Sequence, residues 1–212
     1  MITGKGQSIE DKNMKIIESE IGSHSYLPDE WTIVKRVIHS TADFDFAREN
    51  KIIFHSDAIK KGIEALKSGC SIVADVNGVV GGFNKDNLKK FGNQVICNIS
   101  EPSVASKAKV LNKTRAQTSM RVASKDMNGG IVVIGNAPTA LLEVIQMVKD
   151  GLTLPSLVIG IPVGFVCASE SKDELQTIDI PYITNLGRKG GSPCASAIVN
   201  ALYIILKEKL SS

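Results

Sequence analysis

The sequence predicts an α/β fold: one domain over residues 1–212, with a mainly parallel sheet flanked by helices in a Rossmann-like three-layer arrangement. Two observations carry this expectation. Short, continuously apolar runs alternate along the chain with longer stretches in which apolar residues recur at three-and-four spacing. The short runs end in carboxylate, amide or glycine residues, as strands buried on both faces do before they turn. No internal repeat, linker or low-complexity tract divides the chain.

In order, Ser8 can cap a first helix with Ile9, Ile16, Ile17 and Ile21 as its stripe, stopped by Gly22. Pro28 suits the first turn of a second helix, where Trp31, Val34 and Ile38 follow helical spacing and His39 falls at or just past the end. Arg36, three residues earlier, shares the face of His39 if the helix lasts that long. Ser56 or Asp57 can cap a third helix built on Ile59, Ile63 and Leu66 and stopped by Gly69. Ser71 to Asp75 reads as a buried strand, and the glycine-rich 76–83 segment as a turn. Asn84 then caps a short helix ending at Gly92, and Gln94 to Ile99 is a second strand.

Helices over Ser103–Asn112 and Arg115–Lys125 precede a strand at Ile131–Ile134. Asn136 is the expected N-cap of the next helix, with Pro138 in its first turn and Leu141, Leu142, Ile145 and Val148 as its apolar positions. A strand at Leu157–Ile161, a short helix capped by Ser169 or Ser171, a strand at Tyr182–Thr184 and a long helix from about Pro193 to Lys209 complete the pattern.

Composition sets further bounds. Hydrophobic content of 43%, charged content of 22% and a net charge of +3 without runs of like charge describe an ordinary globule and give no nucleic-acid footprint. No apolar run approaches the roughly 20 residues of a membrane span, and the acidic N-terminal stretch carries no secretory pattern, so a cytoplasmic protein is expected. Cys70, Cys97, Cys167 and Cys194 show no paired spacing and read as free, buried thiols. His24 and His55 share no metal-ligand spacing with His39, and no metal site is expected. P-loop, GxGxxG and GxSxG patterns are absent after strands, which leaves ATP, NAD and hydrolase readings unsupported.

In an open parallel sheet, ligands bind beyond the carboxyl ends of the strands, near the point where strand order reverses. Four polar or glycine-rich stretches follow strands here: Asp75 to Gly82, Gly135 to Thr139, Gly160 to Gly164 and Gly187 to Ser192. The last is the most informative. Its glycines permit close approach, the helix after it presents unpaired N–H groups, and Arg188 and Lys189 add charge, a combination suited to carboxylate or phosphate. Gly135 to Pro138 reads as a second anion pocket or as a plain capped turn. Beside these loops, Arg36 to Phe46 sets His39 among small polar, acidic and aromatic residues, a mixture a core rarely needs.

Four stretches then carry a resemblance: Arg36 to Phe46, Gly135 to Leu141, Gly160 to Lys172, and Gly187 to Ser192 with the later Asn200-Ala201-Leu202. In family order and across essentially the whole chain, they resemble the precorrin-8X methylmutases, also called cobalt-precorrin-8 methylmutases. The resemblance implies a cofactor-free isomerase that moves a methyl group from C-11 to C-12 of a corrinoid polycarboxylate by a suprafacial [1,5]-sigmatropic shift. The family's essential histidine, which protonates a ring nitrogen or stabilises its protonated form, maps onto His39. An imidazole, with a reference pKa of roughly 6.5, exchanges a proton at neutral pH, and such transfer typically contributes roughly 10²–10⁴ in rate.

The implied substrate contacts are Gly187, Arg188, Lys189, Gly190, Gly191 and Ser192 in one loop, Asn136 and Ala137 in another, and Arg36, Thr114 and Arg115 as fork and hydroxyl donors. Asn13 joins them from the N-terminal arm, although the family often has serine there. The chain departs from the family pattern again at Gly78, near a usual methionine, and at Ala116, where serine is common. Asp43 and Asp45 either orient His39 or cap the short helix after them; Asp75 either lines the pocket or caps a turn. A homodimer with the site near the subunit interface is also implied. A non-catalytic tetrapyrrole carrier would need the anion loops but not the proton, and a nucleotide-phosphate enzyme would be stabilised by nucleotides instead.

Overall fold

The computed structural model describes residues 4–211. Helices α1 (Gly4–Ile21) and α2 (Pro28–Thr41) come first, then a 3-10 turn at Phe44–Ala47, strand β1 (Ile52–Phe54) and helix α3 (Ala58–Lys67). The next unit contains β2 (Ser71–Ala74), α4 (Asn77–Gly81), α5 (Lys85–Phe91) and β3 (Gln94–Ile96). Two helices follow, α6 (Pro102–Leu111) and α7 (Arg115–Val122), and a 3-10 turn at Ser124–Met127. The remaining elements are β4 (Ile131–Ile134), α8 (Pro138–Lys149), β5 (Leu157–Gly160), α9 (Ala168–Leu175), β6 (Tyr182–Asn185) and α10 (Ser192–Ser211).

The strands form one six-stranded sheet in the order β1-β6-β5-β4-β2-β3, parallel except where β1 runs antiparallel to β6. Alternate residues feed opposite cores. Ile72, Ala74, Ile131, Val133, Leu157, Ile159 and Ile183 pack with α2, α3 and α10, whereas Val73, Val132, Ile134 and Val158 pack with α7, α8 and α9. This double burial is why the strands read as continuous apolar runs, and it produces the expected three layers. The chain leaves β3 at one edge and re-enters at β4 on the far side of β2, so strand order reverses between β2 and β4.

At that reversal the Asp75 carboxylate is fully buried. Its Oδ1 accepts from the Gly135 N–H at 3.1 Å, and its Oδ2 accepts from the Asn136 and Ala137 N–H groups, each at 2.8 Å. Burial pushes this carboxyl up from its ordinary value, against the opposing pull of the three N–H donors. Asp75 thus caps a turn on the neighbouring strand rather than the turn that follows it.

Several local expectations are corrected. Ser8 lies inside α1, not at its cap, and of the expected stripe only Ile17 is buried; Ile9 and Ile16 are exposed. The 76–83 segment contains the short helix α4, which buries Val79 against the core. Ala137, not Asn136, is the N-cap of α8, because the N–H groups there are met by Asp75. Cys167, in the left-handed region at φ 59°, caps α9; Ser171 instead donates to the Ala168 carbonyl within the helix. Of the four free thiols, Cys194 is buried and Cys167 exposed. No helix among the described residues is long and apolar enough to cross a membrane.

Asp75→Ala leaves the buried Gly135 N–H without its acceptor, a loss expected to lower the unfolding free energy by about 1–3 kcal/mol. Urea titration reads this as a lower midpoint at unchanged slope; an unmoved midpoint would show that the carboxylate does not hold the turn.

Candidate active site

Helix α2 begins with Pro28, and the Glu30 carboxylate accepts from the Leu27 N–H at 2.9 Å. Ile33, Val34, Val37 and Ile38 bury its inner face, chiefly against α10, and Ala42 closes it in the left-handed region, donating its N–H to the Ile38 carbonyl at 2.7 Å. His39 therefore sits on the exposed side of the last turn of a helix clamped at both ends. Helix α1 lies across α2 through an Arg36–Glu10 ion pair and a Lys35–Glu18 pair at 2.5 Å. Glu10, Asn13 and Ile17, spaced by three and four, share one face of α1, so this docking brings Asn13 to the imidazole. Asn13 Nδ2 lies 3.2 Å from His39 Nε2. An amide nitrogen only donates, so Nε2 accepts and Nδ1 carries the hydrogen.

His39, Arg36, Ser40, Asn84, Asn200 and Lys207 line a cleft of about 320 Å³. Ser40 and Asn200 also border an adjoining hollow of about 340 Å³, where Gly78, Ser192 and Ser196 form the far wall. Asn200 fastens the two walls: its Nδ2 donates to the Gly82 carbonyl at 2.9 Å, and its Oδ1 accepts from the Asn84 N–H at 3.0 Å. A larger hollow of about 570 Å³ opens by Pro28, Phe54, His55 and Ile59. It lies at the opposite end of α2, about 16 Å of helix from His39 at a rise of about 1.5 Å per residue, and brings no site residue together.

The four strand-end stretches meet as expected. A side chain at Gly135 would touch Val79 and Ser192, one at Gly78 would press on the Ser192 hydroxyl, and the Gly164 N–H donates to the Arg188 carbonyl at 3.2 Å. The Gly187–Ser192 loop is tightly built. Gly187 sits at φ 72°, where a Cβ would strike the Asn50 amide, and Gly190 packs against the Ile161 carbonyl with no room for a side chain. Its cations behave differently from one another. Lys189 Nζ donates to Asp43 Oδ2 at 2.7 Å and to Asp45 Oδ2 at 2.6 Å, so it is internally neutralised. Arg188 is exposed, its guanidinium 5.9 Å from the centre of the Phe165 ring, and among the described residues it has no carboxylate partner.

The Gly135–Pro138 pocket is closed to a ligand anion, because the Asp75 carboxylate already takes its three N–H groups. Asp43 caps the 3-10 turn after α2, accepting from the Asp45 N–H at 3.0 Å, and neither Asp43 nor Asp45 bonds His39. Thr114 caps α7 and lies 3.2 Å from the Thr139 hydroxyl, which places Arg115 beside the start of α8. Arg115 is exposed and unpaired among the described residues. Among the described residues no hydrogen bond or ion pair joins Thr114 or Arg115 to His39.

Sequence reasoning missed Asn84, Asn200 and Lys172. Asn200 was within reach: it stands in a stretch that carries the resemblance, and Ala197, Asn200, Ile204 and Lys207 follow helical spacing along the cleft wall. Lys172 is fully buried and its Nζ donates to the carbonyls of Gly187 at 3.0 Å and Lys189 at 2.6 Å. Nothing in a helical repeat marks one lysine as buried.

Fold and site together define an open α/β protein with a single imidazole at a cleft beside an anion-suited loop. A family model for precorrin-8X methylmutase matches residues 8–205. The chain is 49% identical to a cobalt-precorrin-8 methylmutase of Priestia megaterium over 96% of its length and 90% of that protein. It is 39% identical to the cobalt-precorrin-8 methylmutase of Methanocaldococcus jannaschii, covering 98% of each. The crystal structure of precorrin-8x methyl mutase from Thermus thermophilus superposes with a TM-score of 0.89 at 36% identity, over 96% of this chain and 98% of that one. The chain belongs to the precorrin-8X methylmutase family, whose members are isomerases.

Partial burial raises the Asp43 carboxyl, but the Lys189 ammonium and the Asp45 N–H outweigh it and hold it below the usual range. Lys189 is in turn held above its ordinary value by the two carboxylates. A depressed carboxyl contributes stability above its unfolded value of about 3.9, lost as pH falls through the folded value; a raised lysine contributes stability lost only as pH climbs past about 10.4. The difference in Tm between the wild type and Asp43→Asn is therefore expected to be level near neutrality and to shrink below about pH 4. A difference that stays constant down to about pH 2 would show that the carboxylate charge contributes nothing.

Proposed function

We propose that the chain catalyses the intramolecular methyl shift from C-11 to C-12 of precorrin-8X or cobalt-precorrin-8, giving hydrogenobyrinate or cobyrinate in cobalamin biosynthesis, with His39 serving the proton. The observation that carries the role of His39 is its placement: an exposed imidazole on a rigid helical turn, in a cleft, with Nε2 tethered by Asn13. In the shift the C-11 methyl bond breaks as the C-12 bond forms, and the electron pairs relocate within the ring. No atom enters or leaves. The demand on the protein is to hold one ring geometry and one protonation pattern, which a positioned acid–base group and a shaped cleft meet. With Nε2 accepting from Asn13, the Nδ1 hydrogen is the one His39 offers to a ring nitrogen. Asn13 then acts on the imidazole rather than on the substrate.

The carboxylate fringe meets Arg188, Arg115 and the first turn of α10, which carry no internal counter-charge, while Arg36 can exchange Glu10 for a substrate carboxylate at the cleft mouth. His39→Ala is expected to bind the corrinoid product while conversion falls by roughly 10²-fold or more, followed by the change in absorption spectrum. Unchanged turnover would overturn the role of His39; loss of product binding with a folded chain would make the residue a binding contact instead.

The proposal extends to a homodimer. Val163, Phe165 and Val166 form an exposed apolar tip beside the Gly187–Ser192 loop, with Phe165 at 85% exposure. Sedimentation of the full chain at micromolar concentration should give the mass of two copies, and Phe165→Asp should shift it toward one; a single-copy mass for the wild type overturns the dimer.

A further inference from the structure

The Gly187–Ser192 loop is held from within by a cation that the methyl shift does not use. Lys172 projects from α9 into the protein, fully buried, and its ammonium donates to the carbonyls of Gly187 and Lys189. A buried ammonium is costly unless its donors are satisfied, and among the described residues no carboxylate pairs with this one. The charged and titratable groups that act on it are few: the Cys194 thiol at the start of α10, and Asp173 on its own helix. Burial pushes the Cys194 thiol up to about 12, so it is uncharged at neutral pH. Lys189, on the loop itself, is drawn away by Asp43 and Asp45. The peptide carbonyls of the loop therefore balance the Lys172 charge.

Those two carbonyls flank Arg188 on either side in sequence. With both drawn inward, the chain between them bows outward, and the Arg188 guanidinium lies against Phe165 at the surface. Asn185 Nδ2 adds a second donor to the Lys189 carbonyl at 3.0 Å, and the Gly191 N–H donates to the Ile161 carbonyl at 2.9 Å, which fixes the loop where α10 begins.

We infer that Lys172 is a positioning residue for substrate binding: its buried ammonium holds the Gly187 and Lys189 carbonyls inward so that Arg188 and the first turn of α10 face the substrate's carboxylate fringe. This rests on the reading of that loop as a substrate contact. A charged donor to a carbonyl is roughly twice as strong as a neutral one, so the clamp depends on the proton. Burial pulls the Lys172 ammonium down to about 8. The clamp is charged near pH 7 and largely neutral near about pH 9, a window in which the depressed Asp43 carboxyl and the raised ammonium of Lys189 keep their charges.

The test uses the full chain and three variants, Lys172→Met, Lys172→Arg and Arg188→Ala. Steady-state conversion of precorrin-8X or its cobalt form is followed from about pH 7 to about pH 9, and hydrogen exchange is measured across 186–193. In the wild type, KM is expected to rise several-fold across this range, roughly in step with loss of the charged clamp, with kcat nearly constant. Lys172→Met should show KM raised about tenfold and level with pH, with amide exchange in the loop about tenfold faster and the core strands unchanged. Lys172→Arg, which keeps its charge throughout, should restore a low, level KM. If Arg188→Ala raises KM but Lys172→Met does not, the positioning role is overturned. If Arg188→Ala leaves KM unchanged, the loop is not a substrate contact, and the reading beneath this inference falls instead. Where Lys172→Met does not fold, Lys172→Gln takes its place, and wild-type values of both KM and loop exchange in that variant overturn the inference.

Discussion

A single buried carboxylate fills the place where a fold of this kind ordinarily receives an anion. Asp75 stands at the reversal of strand order, the place where an open α/β sheet ordinarily offers a ligand the N–H groups of a helix start. It takes those of Gly135, Asn136 and Ala137 for itself. Desolvating that carboxylate is costly, and three N–H donors together with the positive end of α8 offset only part of the cost, which leaves the carboxyl raised. The start of α10, the helix that follows β6, lies against α2, and the cleft opens there.

The charges on the rim sort in the same way. Lys189 is matched by Asp43 and Asp45, Arg36 by Glu10, and Lys113 and Arg121 by the buried Glu143 that ties α7 to α8. Among the described residues Arg188 and Arg115 lack such matches. Exposed ion pairs contribute little to stability, so pairing at the rim matters chiefly for shape. Lys189 draws the end of α2 toward the loop, and Arg36 holds α1, with Asn13, over the histidine. The matched cations build the site, while the unmatched ones remain free to meet a polycarboxylate.

The layers were legible in the sequence because each central strand is buried on both faces and each large helix repeats its apolar residues. The strand Ile52–Phe54 was not, since three residues of an antiparallel edge are too short to show alternation, and α4 was hidden by glycines that Ser192 and Ser196 require for close approach. His39 stood out because its surroundings suit no core. Partnerships did not stand out: Lys189 meets carboxylates more than a hundred residues away in sequence, and the cap expected from Asn136 arrives from Asp75 on another strand. Local spacing encodes which face a residue occupies; it does not encode which distant charge has already claimed a donor.

That division also explains the choice of scaffold for each part of the site. His39 rides the last turn of a helix whose inner face is packed against α10 and whose end is fixed by Ala42, a rigid mount that suits the proton role proposed for it. Carboxylates on flexible arms tolerate more latitude, and the arginines suited to them sit at the tip of a loop and the start of a short helix. Yet the loop is not left slack, for Lys172, Asn185 and Gly190 fix its backbone while Arg188 alone reaches outward. Fixed backbone under an exposed guanidinium loses less conformational entropy on binding than a mobile loop would. The tight glycine-rich turn, costly in a fold that needed only a connection, suits the substrate contact proposed for it through that economy of ordering.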